Sequence, residues 1–63
     1  MRFKNIEEFD GFILNIEGYA CMYDFEDVED IKKFKEIFVS EAVTNGFSEE
    51  EAKSYYEKYY EKH

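Results

Sequence analysis

Phe12-Ile13-Leu14-Asn15-Ile16-Glu17-Gly18-Tyr19-Ala20-Cys21-Met22-Tyr23-Asp24-Phe25 is the stretch on which the fold turns, because its apolar residues obey two periods at once. Read as helix, it continues a stripe that begins upstream. Ile6, Phe9, Ile13, Ile16, Ala20 and Tyr23 recur at alternating steps of three and four, and Phe12 and Tyr19 widen the same face. Asn5 followed by Glu8 has the form of a capping box, so this helix is expected to open at Ile6. Read as strand, Phe12, Leu14 and Ile16 alternate, as do Tyr19, Cys21, Tyr23 and Phe25, about a Glu17-Gly18 turn. The aromatic and β-branched content suits that hairpin. Against the helix, Gly11 and Gly18 fall on its polar side, each at a cost of roughly 1 kcal/mol relative to alanine. The helix is preferred, because a lone hairpin of this length also needs a helix to cover its face.

Downstream the signals agree with one another. Asp24 or Asp27 is placed to cap a second helix whose core face reads Val28, Ile31, Phe34, Phe38 and Ala42, with Val39 beside it. Thr44-Asn45-Gly46 is expected to end it, with Gly46 in the left-handed conformation. Ser48 and Glu51 form a second capping box, and Phe47 before them is placed as a hydrophobic staple. The third helix then starts at Glu49, with Ala52, Tyr55, Tyr56 and Tyr59 as its stripe and Tyr60 on the flank. The expectation for residues 1–63 is a single all-α domain, a three-helix bundle with a C-terminal αα-hairpin. The alternative is an α+β fold in which an N-terminal β-hairpin packs on two helices.

At 63 residues a chain buries only about 60% of its unfolded surface, and a core of this size supplies about 3–5 kcal/mol net. The usual staples are missing: Cys21 is the single cysteine and His63 the single histidine, so neither an internal disulfide nor a Cys/His zinc site is expected. Association, with itself or a partner, is the expected support. Met1-Arg2-Phe3-Lys4 runs straight into charge, and apolar runs reach only about five residues, so a signal peptide, a membrane span and membrane binding are not expected. A reduced, cytoplasmic setting follows as the expectation.

Sixteen acids against eight bases leave a net charge of -8, and no segment offsets the others: residues 1–23, 24–44 and 45–63 carry -2, -4 and -2. Such a surface repels phosphate backbones, so direct nucleic-acid binding is not expected. Residues 28–62 have a helix-turn-helix outline, but the would-be recognition helix opens Glu49-Glu50-Glu51. At i,i+4 spacing Glu29 reaches Lys33 and Glu49 reaches Lys53, whereas Glu57 and Glu61 face and repel each other.

The densest acidic feature is Asp24, Glu26, Asp27, Glu29 and Asp30, five carboxylates in seven residues. One reading is helix punctuation, since acids complement the positive end of a helix dipole. Another is a contact surface for a basic partner, with the carboxylates acting as phosphate-like charges. A calcium loop lacks its central glycine. The tyrosines are the second feature. Four on one short helix cannot all point inward, so Tyr60 and Tyr56 are expected at the rim as contact residues beside an otherwise ordinary core stripe. Leu14, Met22, Ile37 and Val43, left off the stripes, extend an apolar patch. Cys21 is expected to be an inert, partly buried thiol without a basic neighbour. With Ser40, Ser48 and Ser54 at capping or surface positions, no nucleophile, base and orienter come together, so no enzyme and no cofactor is expected.

In size, charge and aromatic content the chain is similar to the small acidic inhibitors that phages and mobile elements direct against other proteins, a compositional likeness without a shared motif. The expected function is a non-enzymatic protein-binding module that occupies a basic, nucleic-acid-binding surface of a partner protein. The alternative is a self-associating helical module, structural or regulatory, that meets its copy across a two-fold axis as a homodimer.

Overall fold

The computed structural model describes residues 3–15 and 18–61. Asn5 opens the first helix as its sequence predicts: the Glu8 N–H donates to Asn5 Oδ1 at 2.9 Å, and Glu8 Oε1 accepts from the Lys4 N–H at 3.3 Å. This helix, α1, runs Ile6–Asn15 and buries Ile6, Phe9 and Ile13. A single 3-10 turn follows at Tyr19–Cys21. Helix α2 is Val28–Thr44, capped by Asp27, whose carboxylate accepts from the Glu29 N–H at 2.8 Å. Helix α3 is Glu49–Tyr59, capped by Ser48, whose Oγ accepts from the Glu51 N–H at 3.0 Å.

The α2–α3 connection closes as a Schellman motif. Gly46 takes φ 102°, its N–H donates to the Val43 carbonyl, and the Phe47 N–H reaches back to the Ala42 carbonyl at 3.0 Å. Phe47 is thereby turned into the core that holds Ala52, where its ring meets Phe9 at 5.6 Å. The fold is a small all-α three-helix arrangement with the expected αα-hairpin, and the described residues contain no strand. The hairpin alternative is therefore overturned. Among the described residues no helix is long and apolar enough to cross a membrane.

One expectation of helix length is corrected. The stripe through Tyr23 predicts one helix from Ile6, yet α1 is assigned only to Asn15, and Gly18 stands outside it at φ 80°. Ile16 and Glu17, which belong to the predicted stripe and turn, lie outside the described residues, as does His63. Gly18 is thus not a weak point on a polar helix face but the residue that permits a change of direction. The break has a packing reason. Tyr19, Tyr23 and Phe25 approach Phe34 with ring centroids 5.4, 5.4 and 5.3 Å away, and Tyr56 from α3 and Tyr60 from its C-cap close on it at 6.1 and 6.2 Å. Phe34 is fully buried at the centre of this aromatic cluster, and Phe38, one turn on, meets Phe9 from α1 at 5.3 Å. Ala20, expected on the core stripe, is exposed on the 3-10 turn together with Cys21.

Candidate functional site

The acidic segment begins as backbone chemistry. Asp24 Oδ1 accepts from the Glu26 N–H and Asp30 Oδ2 accepts from the Asp24 N–H, both at 2.9 Å, while Asp27 caps α2. Three of the five carboxylates therefore fold the turn that delivers Phe25 onto Phe34. Glu26 and Glu29, the remaining two, are exposed and have no ion pair or side-chain hydrogen bond among the described residues. Tyr60 is drawn to this segment, since its ring meets Phe25 at 5.4 Å. A depression of about 200 Å³ runs beside it, lined by Val28, Ile31, Lys32, Tyr60 and Glu61. Val28, expected in the core, is 59% exposed there, at the first residue of α2. No three acidic, cysteine or histidine side chains among the described residues are placed to hold a metal ion.

The tyrosines divide differently from expectation. Tyr56, predicted at the rim with Tyr60, is instead fully buried, and its hydroxyl donates to the Ile31 carbonyl. Tyr59, predicted in the core, is 48% exposed. Helix α1 engages a different pair: its Asp10 collects the hydroxyls of Tyr55 in α3, at 2.8 Å to Oδ2, and of Tyr60 at the α3 C-cap, to Oδ1. Burial, reinforced by Asp10, pushes the Tyr55 and Tyr60 hydroxyls well above the ordinary phenol value, and burial does the same to Tyr56. Asp10 escaped the reading of the sequence. The available signal was its spacing, four residues after Ile6 and three before Ile13, which puts a lone carboxylate at the edge of the apolar stripe.

Glu57 and Glu61 do not simply repel. Lys35 from α2 sits between them, with Nζ 2.9 Å from Glu57 and 3.4 Å from Glu61. The hydrogen bond to Glu57 is the main cause that holds its ammonium above the ordinary value. Glu49 pairs with Lys53 at 3.0 Å as expected, whereas the Glu29–Lys33 pair does not form among the described residues. Of the residues expected to make an apolar patch, Met22 and Val43 are exposed, while Leu14 and Ile37 pack against the core. Cys21 is an exposed thiol and not the partly buried one expected.

A second depression, of about 310 Å³, lies between α1 and α3 and is lined by Ile6, Glu7, Glu51, Ser54, Tyr55, Lys58 and Tyr59. It contains none of the residues singled out from sequence as partner-binding. Compared with known proteins, the chain matches no family model, no curated protein and no solved structure.

Proposed function

We propose that the chain is a non-enzymatic protein-binding module, a small acidic inhibitor or regulator that occupies a basic, nucleic-acid-binding surface of a partner protein, as the small acidic proteins of phages and mobile elements do. The observation that carries this reading is the state of its carboxylates. Glu7, Glu26, Glu29, Glu36, Glu41, Glu50 and Glu51 are all exposed, are spread over the three helices and the turn before α2, and have no ion pair or side-chain hydrogen bond among the described residues. Their mutual repulsion works against a fold with little stability to spare, and a cationic partner converts it into attraction. Complementary fields of this kind act chiefly on the rate of encounter and on partner choice. Among the described residues, Lys35, Tyr55, Tyr56 and Tyr60 have their protonation moved away from neutrality, the opposite of what general acid–base work requires. The exposed Cys21 thiol suits a reducing compartment such as the cytoplasm.

The test is to capture the partner from the native cell and to measure its association rate against salt. A fall of about tenfold or more between ~0.05 and ~0.5 M salt, with competition by single- or double-stranded oligonucleotide, is the expected result. A rate indifferent to salt and to nucleic acid overturns the reading. The second reading, self-association, draws on the exposure of Val43 and Met22. It predicts a dimer at micromolar concentration that survives high salt.

A further inference from the structure

The α1–α3 depression holds features that folding alone does not use. Tyr59 is 48% exposed, yet its ring is held in place, packed on Tyr55 with centroids 4.6 Å apart, while the Tyr55 hydroxyl is anchored on Asp10. Glu7 from α1 and Glu51 from α3 border the same depression, both exposed and neither in an ion pair or side-chain hydrogen bond among the described residues. The ring also already carries a cation: the Lys58 ammonium lies 5.4 Å from the Tyr59 centroid.

We infer that this depression is the seat of an arginine from the basic partner, its guanidinium lying against the Tyr59 ring and forking toward Glu7 and Glu51. The inference rests on the reading of the chain as a ligand for a basic protein, and adds the place and the side chain. Arginine is favoured over lysine because its planar, weakly hydrated head stacks on an aromatic face while its N–H fork meets carboxylates. A pre-held ring and carboxylates from two helices cost little ordering on binding, which suits an anchor residue. The acidic turn at 24–30 is the poorer seat, since Asp24, Asp27 and Asp30 are committed to backbone N–H groups. Lys58 is the built-in competitor, so the ring and the carboxylates are expected to bind a guest cation better once it is neutralised.

The experiment is an NMR titration of the full isotope-labelled chain with a hexa-arginine peptide at low salt. In the wild-type protein the largest shift changes are expected at Glu7, Glu51, Ser54 and Tyr59, and a map centred on residues 24–30 overturns the assignment. Tyr59→Leu should weaken binding about two- to fivefold, the loss expected for one exposed cation–π contact. Glu7→Gln with Glu51→Gln should weaken it about tenfold, and the charge-matched pair Glu36→Gln with Glu41→Gln markedly less. Lys58→Gln should strengthen binding about twofold, and Lys33→Gln, an equal change of charge on α2, by less. Equal effects of the paired variants show that the peptide senses only overall charge, which overturns the depression as a seat while the acidic-ligand reading stands. If the peptide fails to bind the wild-type chain at low salt, that broader reading falls as well. All the substituted side chains are exposed, and the wild-type map is informative without any variant.

Discussion

Tyr55 donates its hydroxyl to Asp10 at 2.8 Å, joining the third helix to the first across 45 residues of chain. The bond matters because α1 is short and an isolated helix of its length is marginal in water. Tyr60 donates to the second oxygen of the same carboxylate, so Asp10 is the hinge of a three-residue network. Asp10→Ala should cost about 1–3 kcal/mol, because it removes a charged acceptor and leaves two half-buried phenols to find water, and Tyr55→Phe about 1 kcal/mol. Urea denaturation gives the totals. Native-state hydrogen exchange gives the location: amides of α1 should lose protection before those of the α2–α3 hairpin. Uniform loss across the three helices would count against the latch.

The same network makes the fold sensitive to alkali. In the unfolded chain Tyr55, Tyr56 and Tyr60 lose their protons around the ordinary phenol value of 10.0, whereas burial holds them on well above it in the folded state. The folded protein therefore binds more protons above that pH, and stability falls as pH rises. Their contribution is complete below about pH 10 and drains away above it, at about 1.4 kcal/mol per pH unit for each phenol. Urea midpoints measured across this range should drop steeply, and Tyr56→Phe should make the drop shallower by about a third of the three-phenol slope. A midpoint that stays level while tyrosinate absorbance rises would sink the prediction.

Where the sequence was a reliable guide, the deciding signals were local. Asp27, Gly46 and Ser48 each fix a helix end through bonds to backbone groups within five residues, so the end of α2 and the start of α3 could be read directly, and the start of α2 to a choice between Asp24 and Asp27. The end of α1 could not, because hydrophobic periodicity reports which face a helix would bury if it continued, not whether it continues. Tyr19, Tyr23 and Phe25 satisfy the stripe and also satisfy a broken chain that brings each ring to Phe34 by its own route. The tyrosines of α3 posed a related problem. Their arc is too wide for one core, and it is α2, through Phe34, Phe38 and the Ile31 carbonyl, that takes Tyr56 in while Tyr59 stays out. The acidic turn was legible as both punctuation and contact surface. The hydrogen bonds of Asp24, Asp27 and Asp30 to backbone N–H groups show the first of these readings at work in those three carboxylates.

Lys35 gives a prediction of sign. In the wild-type protein Glu57→Gln removes an ion pair and should cost up to about 0.5 kcal/mol, discounted because the Glu57 side chain is 56% exposed. With Lys35→Gln already in place, the same substitution relieves the i,i+4 repulsion between Glu57 and Glu61 and should gain a few tenths of a kcal/mol. A four-protein cycle of urea midpoints at low salt reads both values, and both should shrink at high salt. The same sign in the two backgrounds would show that Lys35 does not mediate between the two acids.

The two glycines near the α1 end separate a broken helix from a continuous one. At Gly11, inside α1, an added Cβ meets no atom within 4 Å, so Gly11→Ala should gain about 0.5–1 kcal/mol by lowering the backbone entropy of the unfolded chain. Gly18 is equally uncrowded but stands at φ 80°, where an L side chain is strained, so Gly18→Ala should lose about 1–2 kcal/mol. Free space is the same at both sites, so the opposite signs arise from the backbone alone. In a single helix running from Ile6 through Tyr23 both substitutions would stabilise. Thermal or urea midpoints of the two variants therefore decide between the two chain paths, and a Gly18→Ala protein more stable than wild type would restore the long helix.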